Sequence, residues 1–418
     1  MASLKQYLDF SYIYNEVFFK HMTWKRFILI FLSVRLLCFI SDGHNSDFDF
    51  FEHWGDRIVQ EGFTNIYSIK VDRFECDYPP LYLYVIAPLA YLFDAMQWDM
   101  HTHFYDSFLK LFNLIIELIF LSVFYRKTNN KIFIFLMLLS PVSILNAYAW
   151  GQIDILYTIL MFSAFYLILN SKLYPAALLI GLSLSLKTQT ILFLPFLFLL
   201  FLFNKESFLH KFGSLALLIF VYLLPNLPFI LYAPNPMDSI NPHITAAGRY
   251  NNISVNAFNF YWVLWADFSV KMDLKFPSND ALVLGIISRK YLAYTLFFIV
   301  FAWIVFEFIK NIRIEKKVIA LLSFYCFSFF MLLPEMHERY LFPMFFFSAY
   351  LISKEPKEWP FFLIISILHI CNLLWGWAEN KFIKVQWLFE ISRIFALATS
   401  IAYLFYAKHI WTLVKSKS

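Results

Sequence analysis

The chain has 418 residues, of which 61% are hydrophobic, 22% aromatic and only 15% charged, with a mean hydropathy of +0.63. Soluble domains carry roughly 25% charged residues, so the composition excludes a soluble enzyme or binding module and specifies a polytopic membrane protein. The net charge of +5 does not indicate nucleic acid, because the basic residues sit in short clusters between apolar stretches, where they report topology.

Residues 1–26 have no apolar core followed by a small-residue cleavage site and read as a cytoplasmic, interfacial lead-in. A bilayer span needs roughly 20 apolar residues, and hydropathy predicts about twelve such segments between residues 27 and 407. In order they are Phe27–Ile40, Phe104–Tyr125, Ile132–Ala147, Ile153–Asn170, Leu173–Leu186 and Thr190–Phe203. Phe212–Tyr232, Tyr291–Ile309, Val318–Leu333, Tyr340–Ile352, Pro360–Trp375 and Trp387–Ala407 follow. The expected fold class is therefore all-α: a single membrane domain, with external loops 41–103 and 233–290 and a basic cytoplasmic tail, 408–418. Four cysteines, Cys38, Cys76, Cys326 and Cys371, show no CxxC spacing and suggest neither a metal cluster nor a disulfide framework.

Leu81–Met96, opened by Pro79-Pro80, is shorter than most of these segments. If it enters the membrane and returns, the clusters Arg126/Lys127/Lys131, Lys172, Lys205/Lys211, Lys310/Arg313/Lys316/Lys317 and Lys354/Lys357 share the side of Lys20/Lys25/Arg26. That agreement with the positive-inside rule selects a re-entrant or short membrane helix, with both termini cytoplasmic.

Within the first external loop, Phe50, Phe51, Trp54 and Ile58 follow helical spacing and Gly62 is a stop, so an interfacial helix is predicted from Ser46 to Gly62. Its other side carries Asp49, Glu52, His53 and Asp56. Two readings compete for the acidic start: Ser46 with Asp49 fits a capping box and Asp47 complements the helix dipole; alternatively, a carboxylate at the rim of a lipid-lined cavity serves as a general base. A divalent metal on Asp47 and Asp49 is the second functional reading, and otherwise the chemistry requires no cofactor.

"CDYPPLYLY" stops an extended segment and begins a helix, while placing Asp77 and Tyr78 where they can line a pocket. "AWGQIDILY" puts Gln152 and Asp154 at the same face. "LKTQ" sets Lys187 and Gln189 at a span boundary, where phosphate binding and snorkelling explain the lysine equally well. "PEMHERYLFP" crowds Glu335, His337, Glu338 and Arg339 into a tight connection; arginine forks onto phosphate oxygens and histidine adds a charge-assisted bond, whereas a self-neutralising Glu–Arg turn is the plainer account. Arg249 is a further anion ligand by position.

Taken in order, "DFDFFEHW" (Asp47 to Trp54), "DYPPLYLY" (Asp77 to Tyr84), "LKTQTILFLP" (Leu186 to Pro195) and "HERYL" (His337 to Leu341) resemble the GT-C superfamily of membrane glycosyltransferases. The pattern is closest to the dolichyl-phosphate-glucose-dependent glucosyltransferases of N-glycan assembly and their bacterial relatives. The resemblance implies an inverting hexosyltransferase with a polyprenyl- or dolichyl-phosphate monosaccharide donor and a glycan or glycolipid acceptor. It maps the catalytic aspartate onto Asp47, with Asp49 beside it, and the His-Glu pair onto His337 and Glu338. Lys187, Gln189, His337, Arg339 and Arg249 are then expected around the donor phosphate, and His53, Trp54, Asp77, Tyr78, Gln152, Asp154 and Glu338 along the pocket. "HER" departs from the HEK-like form of the glucosyltransferases, which leaves mannosyl transfer as plausible as glucosyl. Abundant Phe, Lys, Ile and Asn lean toward a prokaryotic cytoplasmic membrane over the endoplasmic reticulum, with the site on the periplasmic or lumenal side. The competing class is a transporter or flippase of lipid-linked saccharides, which places ionisable groups within spans; Lys110, Glu117 and Glu307 are the candidates.

Overall fold

The computed structural model describes residues 23–40, 43–68, 74–246, 248–268, 274–275, 277–381 and 386–416. They are overwhelmingly helical, and the strands are only two residues long. Helices lie over every apolar stretch named above. Five are long and apolar enough to cross a membrane, or six if one bent pair counts as a span. Three shorter apolar helices, Asp154–Leu169, Leu173–Leu186 and Thr188–Phe203, account for part of the difference from the expected twelve, and a fourth, Pro80–Ala95, is the short segment outside that count.

The chain divides into two compact units. One comprises Phe39–Glu117 and Ala149–Arg249. Its first helix below is the predicted interfacial one; α1, Trp24–Leu37, belongs to the other unit. Helix α2, Asn45–Glu61, buries Phe48, Phe51, Trp54 and Ile58 along one stripe and stops at Gly62, whose φ of 94° suits a residue without a side chain. The helix begins at Asn45, ahead of Ser46, so its cap position falls on His44 rather than on the predicted capping box. After the Pro79-Pro80 turn, α3 (Leu83–Ala95) packs on α2. Its 13 residues rise about 20 Å, short of the ~30 Å hydrocarbon core. Helix α4 is His103–Thr128, the first of the five long helices.

The other unit comprises Met1–Cys38, Leu118–Tyr148 and Tyr250–Ser418. Here the predicted span Ile132–Ala147 is broken: α5, Lys131–Leu138, gives way at Ser140-Pro141 to α6, Pro141–Ile144, and a π-helical turn, with a bend of 47°. Pro141 lacks the N–H that would continue the ladder, so carbonyls of the last turn of α5 need other donors. Arg35 of α1, fully buried, supplies them: Nη1 donates to Leu138 O at 3.0 Å and Nη2 to Met137 O at 3.2 Å, with the guanidinium 4.0 Å over the Phe31 ring.

In the first unit α7 (Asp154–Leu169), α8 (Leu173–Leu186), α9 (Leu194–Phe203) and α10 (Phe208–Tyr232) follow, and α8 packs against both α7 and α10. Gly181 permits the close α8–α10 approach, since a Cβ there would lie 2.8 Å from Leu218 O. A short α11, Asn241–Thr245, ends the unit's helices.

In the second unit, β1 (Ser254–Val255), α12 (Phe260–Trp265), β2 (Asp267–Phe268), β3 (Leu274–Lys275), β4 (Leu282–Val283) and β5 (Ile287–Ser288) occupy the predicted long loop. Next come α13 (Arg289–Asn311), α14 (Glu315–Leu332), β6 (Met336–His337), α15 (Pro343–Lys354), α16 (Trp359–Lys381) and α17 (Gln386–Lys415). Helix α14 is buried all round from Lys317 to Leu332, with α13, α15 and α17 against it. Helix α17 runs through residues 408–415 of the predicted basic tail: Lys415 pairs with buried Glu307 at 2.7 Å and His409 with buried Glu358 at 2.8 Å. Lys317 donates to the carbonyls of Val414 and Ser416, both at 2.8 Å, which satisfies the helix end.

Replacing Arg35 with methionine retains bulk but removes the guanidinium donors from Leu138 O and Met137 O, of which Met137 O keeps a backbone N–H. The expected loss is about 1–3 kcal/mol, read as a lower Tm of the detergent-solubilised protein.

Candidate active site

The geometry around the acidic helix starts with two glycines. Gly43 and Gly151 adopt φ of +67° and +91°, and a Cβ on either would lie 2.1 and 2.3 Å from the Phe48 ring. Neither the backbone conformation nor the space admits a side chain. Phe48 therefore docks the Ala149–Gln152 segment on the start of α2. His44 N donates to Trp150 O at 2.9 Å, and the two rings stack at 4.3 Å. The Trp150 indole N–H then reaches Asp47 Oδ2 at 2.6 Å, with His44 Nδ1 at 3.2 Å from the same oxygen. Asp47 is thus oriented by an indole and flanked by an imidazole, and its side chain remains 21% exposed.

Asp49 is two residues further along an α-helix, about 200° around its axis. It faces a separate cavity of 460 Å³ lined by Phe48, Asp49, Glu52, His101, Thr102, His103 and Asp106. His101 bridges α2 from the α3–α4 connection: Nδ1 lies 2.8 Å from Glu52 Oε2 and Nε2 2.8 Å from Asp56 Oδ2. Burial pushes the Glu52 carboxyl up, and its hydrogen bond to His101 only partly offsets this. For His101 burial acts downward, but the hydrogen bonds that its ring donates to Asp56 and Glu52, with their charges, outweigh it and raise the imidazole above its ordinary 6.5. Both groups therefore hold their protons to higher pH than when isolated.

His53 and Trp54 do not line this cavity. His53 stacks on Phe74 at 3.8 Å and reaches Asp49 O at 2.7 Å, while the fully buried Trp54 donates to Phe74 O at 3.1 Å. Their role is to hold the segment that leads to Asp77.

A second group is joined to Asp47 by residues 150–154. The Tyr78 hydroxyl donates to Gln152 Oε1 at 3.3 Å, and Asn113 to Gln152 O at 3.1 Å. Asp154, at the start of α7, is paired with Lys187, and both are buried; the ammonium lies 5.5 and 5.6 Å from the Tyr78 and Tyr157 ring centres. Arg249 pairs with Asp77 at 3.1 Å, both about a quarter exposed. Gln189 is half-buried beside Thr188, at 3.4 Å. One short segment therefore reaches Asp47 through Trp150, Tyr78 through Gln152 and Lys187 through Asp154.

His337, Glu338 and Arg339 belong to the second unit. There Glu335, at φ 63°, accepts from Tyr250 N, Asn279 Nδ2 and Lys290 Nζ, each at 3.3 Å. These bonds and the parallel β1–β6 pairing fix His337 between the rings of Tyr250 and Tyr340, at 4.9 and 5.0 Å. Arg339 Nη1 donates to Glu338 Oε1 at 2.8 Å. The Glu–Arg pair expected from sequence thus forms, and Glu335, not a candidate site residue, is the anchor.

Asp47 and Asp49 do not fit a shared metal, because helical spacing turns their carboxylates apart. Among the described residues no three His, Cys, Asp or Glu side chains are grouped to hold a metal ion. The cavity residues that sequence reasoning passed over are His101, His103 and Asp106, with Glu52 noted only as part of the helix's polar side. The available signal was "HTH", three polar residues closing the gap between two apolar helices. No protein-family model matches the chain, and no curated protein matches it.

Lys187→Met leaves Asp154 buried without its cation, and the expected cost is about 3–5 kcal/mol. Lys187→Met with Asp154→Leu together should recover most of that loss in Tm, an outcome that a lysine reserved for ligand binding would not give.

His101 stabilises the fold through a raised affinity for its proton, so its contribution is complete below pH 6.5 and fades as pH rises through the raised value. The Glu52 contribution changes in the same direction from pH 4.5 upward. The Tm gap between the wild type and His101→Ala should therefore narrow as pH rises above 6.5.

Proposed function

We propose that this chain is an inverting glycosyltransferase that moves a hexose, mannose or glucose, from a polyprenyl-phosphate-linked monosaccharide to a hydroxyl of a glycan or glycolipid. In this reading Asp47 is the general base. It takes the acceptor's hydroxyl proton as that oxygen bonds to the anomeric carbon, while the carbon–oxygen bond to the lipid phosphate breaks and the phosphate leaves. The observation that carries the reading is Asp47 itself: a carboxylate held by the Trp150 N–H at 2.6 Å, beside His44, yet 21% open to solvent. A base in this role needs a fixed orientation and an accessible edge.

Donor phosphate requires a cation able to exchange partners. Side-chain exposure ranks the three candidates: Arg249 at 29%, Arg339 at 12% and Lys187 at 3%. Arg249, paired with a partly exposed Asp77, exchanges its carboxylate for a phosphate at the least cost in burial. Lys187 serves instead to neutralise Asp154. About twelve apolar helices at or within the bilayer would frame the site, with Asp47 on the external or lumenal side of a prokaryotic cytoplasmic membrane.

A transporter of lipid-linked saccharides is the second reading, favoured by Lys110, Asn113 and Glu117, buried along one face of α4. One experiment separates the two. Wild-type protein supplied with a panel of polyprenyl-phosphate sugars should release lipid phosphate. In Asp47→Asn, whose amide oxygen still accepts the Trp150 N–H, release should fall by about 10²–10⁴ with Tm unchanged. Movement of intact donor across proteoliposomes without release would favour transport, and near-normal turnover would remove Asp47 as the base.

A further inference from the structure

The antiparallel hairpin β4–β5 leads straight into α13, and Leu282, Leu284 and Ile286 stand exposed along it. We propose that its tip, Leu284-Gly285-Ile286, inserts into the lipid leaflet at the N-terminal end of α13, at the boundary between headgroups and acyl chains; this needs α13 to span a membrane and does not depend on the glycosyltransferase reading.

Residues 281–287 carry no polar side chain, between polar runs at 278–280 and 288–290. Val283 pairs with Ile287, and Ile286 N donates to Val283 O at 3.1 Å, which closes a tight turn. Both central residues of that turn have positive φ, Leu284 at 52° and Gly285 at 71°. Asn, Asp and Gly are its ordinary occupants in water, and leucine adopts it only at a steric cost. Yet Leu284 is 90% exposed and Ile286 83%, and a Cβ on Gly285 would meet nothing within 4 Å. Among the described residues nothing covers this tip, so its apolar side chains answer to something outside the chain.

The base of the hairpin identifies that covering as lipid. Arg289 N donates to Ala281 O at 3.0 Å and Lys290 N to Asn279 O at 3.1 Å, so the base is bonded to the first turn of α13, one of the five helices long and apolar enough to cross a membrane. Tyr291 heads an exposed apolar stripe on that helix, which runs through Phe298 and Ile299 to Phe306. In the same turn the Arg289 guanidinium lies 4.7 Å over the Trp265 ring. Tryptophan, tyrosine and arginine gathered at the end of an apolar helix mark the headgroup level. From Ser288 to Gly285 an extended chain reaches about 10 Å, whereas the headgroup layer is roughly 5–7 Å deep on each side. The tip can therefore reach the acyl chains. Unpaired backbone groups on the hairpin's edges bar it from the hydrocarbon centre, which sets an interfacial depth. A second copy of this chain is the poorer fit, because the residues flanking the tip are those that meet lipid. Lys290 also pairs with Glu335 at 3.3 Å, so an inserted tip holds the turn carrying His337 at a set height over the leaflet.

The test uses the full chain in nanodiscs of phosphatidylcholine, part of which carries a diazirine on the acyl chain close to the ester. After irradiation, lipid adducts are mapped by peptide. In the wild type the peptide carrying residues 282–288 should take lipid, as the α13 peptide with Phe298 does. Leu284→Asp with Ile286→Asp should lower the hairpin adducts about tenfold and leave the α13 adducts unchanged. Aspartate tolerates the positive φ at 284, so the turn persists, and the α13 adducts report that the helix is still in place. In a second arm, Leu284→Cys should react with a charged thiol reagent about tenfold more slowly than Asp280→Cys at the exposed base, each read at its own peptide. Equal thiol rates place the tip in water, and slow reaction without hairpin adducts places it under protein; each overturns the proposal, as do adducts that survive both aspartates. No turnover is measured, so absence of lipid-phosphate release sinks the transferase reading and leaves the hairpin untouched.

Discussion

A charge enclosed by apolar side chains must be neutralised where it stands, and this constraint organises both units. The desolvation penalty of an ion in such surroundings is several kcal/mol, more than most single contacts return. The lysine and the two arginines expected around the donor phosphate each have a carboxylate in contact: Lys187 on Asp154, Arg249 on Asp77, Arg339 on Glu338. Carbonyls at a helix break or a helix end also take buried cations, as with Arg35 on Met137 and Leu138 and Lys317 on Val414 and Ser416. Charges that resemble functional ligands in a sequence are thus first of all the fasteners of loops and helix ends.

Burial then separates structural pairs from exchangeable ones. Lys187 and Asp154 are closed off, and a ligand would have to uncover both before binding either. Arg249 and Asp77 face partly outward, so water already shares their charge and a stronger anion can displace the carboxylate without exposing a bare ion. This ordering turns on three-dimensional enclosure, so residue types alone could not supply it.

What the sequence made legible follows the same division. Helix positions were readable because apolar stretches impose them, and α8 has the predicted bounds, Leu173–Leu186. Helix α2 was readable from the spacing of Phe50, Phe51, Trp54 and Ile58 and from its Gly62 stop, although Phe48 and not Phe50 completes the buried stripe. Span length was less readable, since Pro141 divides one stretch and Asp154 and Lys187 bring buried ions to the ends of two others. Of the site, the acidic start, Tyr78, Gln152, Asp154 and Lys187 were legible as polar residues out of place, and they are joined through residues 150–154. His101 and Asp106 were not, because a histidine between helices and an acid in a first turn look ordinary until α2 is seen against them. The partners of the basic tail were not legible, because Glu307 and Glu358 lie far away in sequence.

The acidic dyad shows how a helix gives one spacing two uses. In an extended loop, Asp47 and Asp49 would point the same way and invite a shared metal. Wound into α2 they diverge, Asp47 toward Trp150 and Asp49 toward the cavity with Glu52 and His101. The helix becomes a partition, with an oriented carboxylate on one side and a carboxylate-rich pocket on the other. Phe48, wedged on Gly43 and Gly151 while also lining that pocket, is the pivot. Its packing fixes the rotation of α2, and so fixes both directions at once; a shift of one residue in the helix register would turn Asp47 about 100° away from the indole and dismantle the two sides together.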